Sequence, residues 1–175
     1  MKTVLVLTAL FITSLATAQV KWMTMNDALA AQQKEPRKIL LKSYTDWCTN
    51  CKWMDKYSFA KPEIADYINK NYYPVAFDAE GTEVINYKGA TYNNPLKKSD
   101  KRAAHEFAGF MRVFEYPTLV FFDEKGVIIN PVPGKLDSKK LEIYITMLKD
   151  EIYKGVNTGA KWATYQKNFK YKLQG

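Results

Sequence analysis

Runs of apolar and polar positions divide the chain into short strands and helices. Continuous apolar runs, rich in β-branched and aromatic residues, predict strands at residues 38–44, 72–77, 116–122 and 127–129. Helical spacing of apolar positions predicts helices at residues 25–33, 48–59, 62–68, 101–114, 139–153 and 160–169. The order of these elements predicts an α/β fold, with a central mixed β-sheet that has helices on both faces.

Extra material separates the two halves of this pattern, at about residues 80–100. Within it, residues 85–92 predict a short hairpin around a Lys-Gly turn. The segment is polar and rich in turn residues, and we expect Tyr87 and Tyr92 to be exposed. Functional residues concentrate on loops held by a rigid scaffold. We therefore expect the insert to shape partner choice rather than fold stability.

The first 18 residues have the pattern of a secretory signal peptide. Lys2 supplies a short basic start, residues 3–15 are apolar, and residues 16–18 form a small-x-small cleavage site. The alternative is a buried N-terminal helix, since the apolar run is too short to span a membrane. We predict cleavage after Ala18 and a periplasmic or secreted protein. No stable membrane insertion is expected after cleavage.

The remaining residues, 19–175, are predicted to form one domain. It ends in an amphipathic helical extension at about residues 159–172. The chain carries 26 Lys and Arg against 18 Asp and Glu, a net charge of +8, of which Lys2 leaves with the signal peptide. The lysines are scattered, which favours solvated faces over a nucleic-acid or anionic membrane surface. We expect no nucleic-acid partner and no cofactor.

Candidate chemistry lies in the segment from Trp47 to Lys52. It contains Cys48 and Cys51, the only two cysteines of the chain. At this spacing two sulfurs can close and reopen a small disulfide ring, and an exported pair meets oxidising conditions. A purely structural disulfide is the alternative, but so short a loop constrains an unfolded chain little. The spacing therefore favours dithiol chemistry.

Two motifs resemble the thioredoxin-like superfamily. Residues 46–52 (DWCTNCK) follow a predicted strand, and residues 116–118 (YPT) open another strand about seventy positions later. Residues 44–48 and 51–59 are also similar to the C-terminal thioredoxin-like domain of the transmembrane disulfide reductase DsbD. The resemblance spans about residues 23–149, and the insert is absent from minimal thioredoxins.

This resemblance implies a thioredoxin fold and a function. The function is that of an exported thiol–disulfide oxidoreductase with a redox-active Cys48–Cys51 disulfide, working in the reducing direction. Its partners would be proteins that carry disulfides or thiols, and a membrane electron donor of the DsbD type. No metal site is implied. A different class remains open, in which a thioredoxin-like scaffold holds a soft metal such as Cu(I) through both cysteines, with Met54 or His105.

The two cysteines are assigned different roles. Cys48 is expected at a helix N-terminus, where unpaired N–H groups stabilise a thiolate, so it is the predicted nucleophile. Cys51, one turn later and more buried, is predicted to resolve the mixed disulfide. In the family a cis-proline, here Pro117, lies against the dithiol and leaves the backbone of the preceding residue, here Tyr116, free to pair with a substrate. The alternative for Pro117 is an ordinary proline at a strand entry.

One position departs from the family pattern. Thioredoxins commonly place a buried aspartate six residues before the first cysteine, and this chain has Lys42 there. Asp55 shares a helix face with both cysteines, and in the DsbD-like pattern an acid here influences proton transfer at Cys51. Lys42 either pairs with Asp55 or extends to solvent. Asp55 is alternatively an exposed carboxylate paired with a lysine of its own helix, Lys52 or Lys56.

The sequence leaves the roles of two further side chains open. Trp47 either packs beside the dithiol and shields it or belongs to the core. For His105, the only histidine, a surface or helix-capping role is favoured over a catalytic one.

Overall fold

A computed structural model describes residues 19–174, so the predicted signal peptide lies outside the described residues. In that range the strands are β1 Lys38–Tyr44, β2 Tyr72–Asp78, β3 Ile85–Tyr87, β4 Ala90–Tyr92, β5 Thr118–Phe122 and β6 Ile128–Pro133. The α-helices are α1 Met25–Lys34, α2 Thr49–Met54, α3 Pro62–Asn71, α4 Glu106–Phe110, α5 Ser138–Lys149 and α6 Gly159–Asn168. A π-helical turn, Asp55–Phe59, continues α2.

The main sheet has the strand order β2-β1-β5-β6. Strand β1 lies parallel to β2 and antiparallel to β5, and β5 pairs antiparallel with β6. The parallel pair is joined through α2 and α3, as a parallel connection requires a long crossover. The predicted α/β architecture, with a mixed sheet covered by helices on both faces, is confirmed.

Alternation along β1 divides the interior into two cores, because successive strand residues point to opposite faces. Ile39 and Leu41 lie in the core covered by α1, α4 and the insert. Leu40 lies in the core covered by α3 and α5. Every residue of β1 except Tyr44 is buried, including Lys38, Lys42 and Ser43, so β1 is a central strand covered on both faces.

The region before α4 differs from its prediction. The expected helix at 101–114 is wrong, because only Glu106–Phe110 is α-helical there. Local polar contacts compete with the helix: the Asp100 carboxylate accepts the Arg102 N–H at 2.8 Å, which holds a turn. His105 caps α4 instead, since its Nδ1 accepts the N–H of Phe107 at 3.0 Å. Its capping role is confirmed, and its surface position is wrong because the side chain is buried.

The insert forms its predicted hairpin but belongs to the core. Strands β3 and β4 pair in the expected register. Tyr87 is only 3% exposed, and its hydroxyl donates to the Gly126 carbonyl at 2.6 Å. Its ring lies 5.5 Å from that of Phe107 and 6.1 Å from that of Phe122. The prediction of an exposed Tyr87 is therefore wrong, and the hairpin contributes to the stability of the fold.

The C-terminal extension is fastened by one buried carboxylate. Glu142, fully buried on α5, accepts the backbone N–H groups of Lys172 and of Leu173, the latter at 3.0 Å. The Gln174 amide donates to the same side chain at 2.6 Å. The helical part ends at Asn168, earlier than predicted, because the following residues turn to reach Glu142. Across residues 19–174, no helix combines the length and apolar character needed to cross a membrane.

Candidate redox site

Both cysteines lie at the start of α2, the helix that follows β1. Cys48 is the N-cap of α2, and its N–H donates to the Thr45 carbonyl at 3.1 Å. A disulfide joins Cys48 to Cys51, and the N–H of Cys51 points at the Cys48 sulfur at 3.1 Å. The two side chains are 4% and 2% exposed, respectively. The first sulfur therefore lies against the free N–H groups of a helix start, which stabilise a thiolate when the bond is open.

The loop before β5 contacts the segment that carries the cysteines, through Trp47. The peptide bond between Tyr116 and Pro117 is cis. The Tyr116 ring packs edge-to-face on Trp47, with ring centroids 6.1 Å apart. Burial, followed by the Glu80 and Asp78 carboxylates, raises the pKa of Tyr116 above its ordinary value. The neutral phenol is thus favoured beside the residue that precedes Cys48.

Trp47 is held by Glu80, at the start of the insert, and by Arg102, just after the insert. Its indole Nε1 donates to Glu80 at 3.0 Å, and the Arg102 guanidinium carbon lies 5.3 Å from its ring centroid. The side chain is 50% exposed, so a place in the core is wrong. Our sequence prediction did not include Glu80 and Arg102 in the site. One feature of the sequence could have identified Glu80. It follows β2, and β2 ends at the same edge of the sheet as β1, which precedes the cysteines.

Lys42 and Asp55 form an ion pair. The Lys42 ammonium lies 2.5 Å from the Asp55 carboxylate, and the two side chains are 5% and 46% exposed. Lys42 does not extend to solvent, and the described salt bridges include no pair of Asp55 with Lys52 or Lys56. The Asp55 backbone N–H donates to the Cys51 carbonyl, which ties this carboxylate to the helix that carries the second cysteine.

Three aromatic rings surround the same ammonium. Its distances to the ring centroids are 4.7 Å for Trp22, 5.2 Å for Tyr44 and 5.7 Å for Phe59. Such contacts stabilise a cation by about 0.5–2 kcal/mol each, more where water is excluded. Burial raises the pKa of Tyr44, and the Asp78, Asp46 and Asp55 carboxylates raise it further. The prediction missed this aromatic enclosure, because Trp22 is far from Lys42 in sequence.

The two side chains suggested as further ligands of a soft metal have other partners. Met54 accepts the N–H of Leu136 through its sulfur at 3.4 Å. His105 uses Nδ1 as the cap of α4, and its Nε2 lies 2.7 Å from the Glu83 carbonyl. No group of three or more His, Cys, Asp or Glu side chains that could hold a metal ion occurs between residues 19 and 174.

Comparisons with known proteins agree with this geometry. The family model of the thioredoxin-like domain matches residues 25–149. The thiol:disulfide interchange protein DsbD of Pectobacterium atrosepticum is 28% identical over 123 residues, which are 69% of this chain and 18% of that protein. DsbD of Salmonella paratyphi A is 30% identical over 102 residues, which are 58% of this chain and 14% of that protein. The chain therefore spans less than a fifth of the length of these relatives.

Solved structures show the same fold. The DsbH oxidoreductase has a TM-score of 0.53 at 19% identity, over 87% of this chain and 95% of that one. A thioredoxin-fold protein from Helicobacter pylori has a TM-score of 0.51 at 18% identity, over 75% of this chain and 81% of that one. At these identities the likeness concerns the fold alone.

Proposed function

The chain belongs to the thioredoxin-like domain family, and on that basis we propose that it is a thiol–disulfide oxidoreductase that reduces disulfides in proteins. One observation carries the proposal: Cys48 and Cys51 are bonded to each other at the N-terminus of α2. Similarity to the thiol:disulfide interchange proteins named above supports the same activity.

The reaction proceeds in two exchanges. The Cys48 thiolate attacks one sulfur of the partner's disulfide, so that a mixed disulfide forms and the partner's other sulfur leaves as a thiolate. Cys51 then loses its proton and attacks the Cys48 sulfur. This closes the Cys48–Cys51 bond and releases the second partner thiolate. Two electrons have passed to the partner, and the protein leaves oxidised.

Asp55 and Lys42 are proposed to assist the second exchange. The Asp55 carboxylate, one helical turn after Cys51, takes up the proton that Cys51 loses. Lys42 acts as a positioning residue, because its ammonium holds that carboxylate at 2.5 Å. Tyr116 and Pro117 are proposed to border the strip of backbone on which the partner lies. Trp47 is proposed to cover one side of the dithiol.

Regeneration requires a reductant of the dithiol class. We propose that a membrane protein of the DsbD type donates the electrons from its own cysteine pair, and that exchange occurs outside the cytoplasm. Export would remove residues 1–18, which have the composition of a signal peptide. Mass spectrometry of the protein from a cell-envelope fraction is expected to find Gln19 at the N-terminus. An intact Met1 in that fraction would contradict export by cleavage.

Trapping of partners tests the roles of the two cysteines. In Cys51→Ala the mixed disulfide forms but is not resolved, so covalent complexes should accumulate on non-reducing gels. In Cys48→Ala they should be absent, and both variants should lose insulin reduction. Complexes that form through Cys51 but not Cys48 would reverse the assignment. An unaltered protein that does not reduce insulin, together with a Cys51→Ala variant that traps no partner, would reject the proposed function.

A further inference from the structure

One surface beside the dithiol carries an uncompensated positive charge. Residues 97–102 (KKSDKR) contain four cationic side chains and one carboxylate. We name Lys97, Lys98, Lys101 and Arg102 the basic arm. We propose that the basic arm is a docking surface for partner polypeptides with acidic side chains next to their disulfide. This rests on the proposed function and adds to it the class of partner.

The basic arm lies next to the reactive cysteine. The guanidinium of Arg102 is 5.3 Å from the ring centroid of Trp47, the residue that precedes Cys48. Glu80, at the start of the insert, accepts the indole N–H at 3.0 Å. With both residues against one indole, the arm is anchored to the rim of the redox site. A polypeptide that offers its disulfide to Cys48 therefore passes close to these cations.

The charges of the arm are available to a partner. Lys98, Lys101 and Arg102 are exposed. The salt bridges found among residues 19–174 involve none of these three side chains. The arm's own carboxylate, Asp100, is engaged in the turn, where it accepts the Arg102 N–H at 2.8 Å. Lys97 is less available, because its ammonium donates to the Lys101 carbonyl at 2.5 Å.

Acidic groups near the site do not cancel the arm. Glu80 is only 8% exposed and accepts the Trp47 indole N–H. Asp55 is paired with Lys42 at 2.5 Å. Asp46 is exposed and carries a single charge. Asp78, which lies near Tyr116, and Asp100 of the arm also carry negative charge, so the excess of cations is a property of the arm itself, where four cationic side chains stand against one carboxylate.

Charge complementarity of this kind acts mainly on the rate of encounter. Opposite charges steer two proteins together and raise association rates by about 10–1,000-fold, and salt removes the effect. The chemistry at Cys48 is the same for all partners. The arm therefore discriminates between partners by their rate of association, before the exchange begins. Because the arm lies at the cysteine that attacks a protein disulfide, a polypeptide fits it better than a membrane surface does.

Rates with matched peptides test the proposal. Three synthetic peptides of equal length hold one internal disulfide, with glutamates, glutamines or lysines beside the first cysteine. Reduced protein is mixed with each at low salt, and the second-order rate constant of oxidation is measured. The glutamate peptide is expected to react about 10-fold faster than the glutamine peptide. The difference should disappear in about 0.5 M salt, where the Debye length is only a few ångströms.

Substitutions assign the preference to the arm. Lys98→Gln with Lys101→Gln should reduce the ratio of the glutamate to the glutamine rate to below about 3. Lys98→Glu with Lys101→Glu should make the lysine peptide the faster one. A control with the same loss of charge, Lys34→Gln with Lys70→Gln, changes exposed lysines on α1 and α3. The control should keep the ratio of the unaltered protein.

Different outcomes reject different statements. If the unaltered protein reacts with all three peptides at one rate, or if the Lys98 and Lys101 variants keep the full ratio, the docking proposal is wrong while the redox function stands. If no peptide is reduced, the proposed function itself is wrong. Binding to equimolar phosphatidylglycerol–phosphatidylcholine vesicles that needs Lys98 and Lys101, without a peptide preference, would assign the arm to a lipid surface instead.

Discussion

Each end of β1 carries a buried lysine that pairs with carboxylates, and the surroundings of the two lysines differ. Lys38 and Lys42 are four residues apart on one strand, so they point to the same face on either side of Leu40. Both side chains are buried, and both reach carboxylates that are about half exposed. Lys38 lies at the end far from the cysteines, and Lys42 at the end that leads to them.

The two lysines differ in how their charge is satisfied. Lys38 contacts two carboxylates, Glu124 at 2.5 Å and Glu151 at 3.4 Å, which belong to the β5–β6 turn and to the turn after α5. Lys42 contacts one carboxylate, Asp55, and three aromatic rings. At the far end, Lys38 links two turns through two carboxylates, so the loss of one carboxylate leaves the other in place. The near end depends on one carboxylate, Asp55, which lies one helical turn after Cys51, so we expect a change there to affect the dithiol.

The largest difference between the two ends is expected in stability. Asp55→Ala leaves the Lys42 ammonium buried without its carboxylate and should lower the free energy of unfolding by about 2 kcal/mol. Glu124→Ala leaves Lys38 with Glu151 and should cost less than about 1 kcal/mol. Urea unfolding of the oxidised proteins measures both values. Equal costs at the two ends would show that the aromatic rings alone satisfy Lys42.

A smaller difference is expected in the dithiol–disulfide equilibrium with glutathione. Lys42→Met and Asp55→Ala should each shift the equilibrium constant, and their double mutant should depart from additivity by about 1 kcal/mol. The matched cycle of Lys38→Met and Glu124→Ala should leave the constant unchanged. Additivity within about 0.5 kcal/mol at Lys42 and Asp55 would reject a coupled pair. Asp55 would then have to be judged alone.

The smallest difference concerns two tyrosines at these ends and is seen only in alkali. Tyr72 pairs with Lys38 in the sheet, and burial raises its pKa well above 10.0; burial raises that of Tyr44 as well. An unfolded tyrosine loses its proton first, so the stabilising contribution is full below pH 10 and is lost as pH rises through the folded pKa. Melting temperatures between pH 7 and pH 11 should fall above about pH 10.

Substitution by phenylalanine isolates each tyrosine. Tyr72→Phe should flatten the alkaline fall more than Tyr44→Phe, because Tyr72 is the more completely buried of the two. It should also lower stability by about 1 kcal/mol at neutral pH, because the hydroxyl donates to the Ile145 carbonyl. An unchanged alkaline slope in Tyr72→Phe would show that other groups set the pH dependence.

Local rules were sufficient for much of the fold and for the cysteine pair. The apolar run of β1 predicted a strand, which the structure shows to be buried, and spacing alone singled out Cys48 and Cys51, which the structure joins by a disulfide. The hairpin at residues 85–92 also followed from its turn. These features depend on neighbours a few residues apart, so periodicity and turn chemistry describe them well.

The surroundings of the dithiol were decided by tertiary structure. The pairing of Lys42 with Asp55 was one of two alternatives in the sequence, and its aromatic enclosure by Trp22 and Phe59 was not foreseen. Tyr87 was expected in solvent and is core, because α4 lies over its hairpin.

Contacts that join distant parts of the chain explain this division. The Glu80 carboxylate meets the Trp47 indole because parallel strands end at the same edge of the sheet. Sequence alone therefore singled out the two cysteines that the structure joins, since they lie within one helical turn. Tertiary structure decided which charges and rings surround them, because such contacts form only when strands and helices far apart in sequence are packed together.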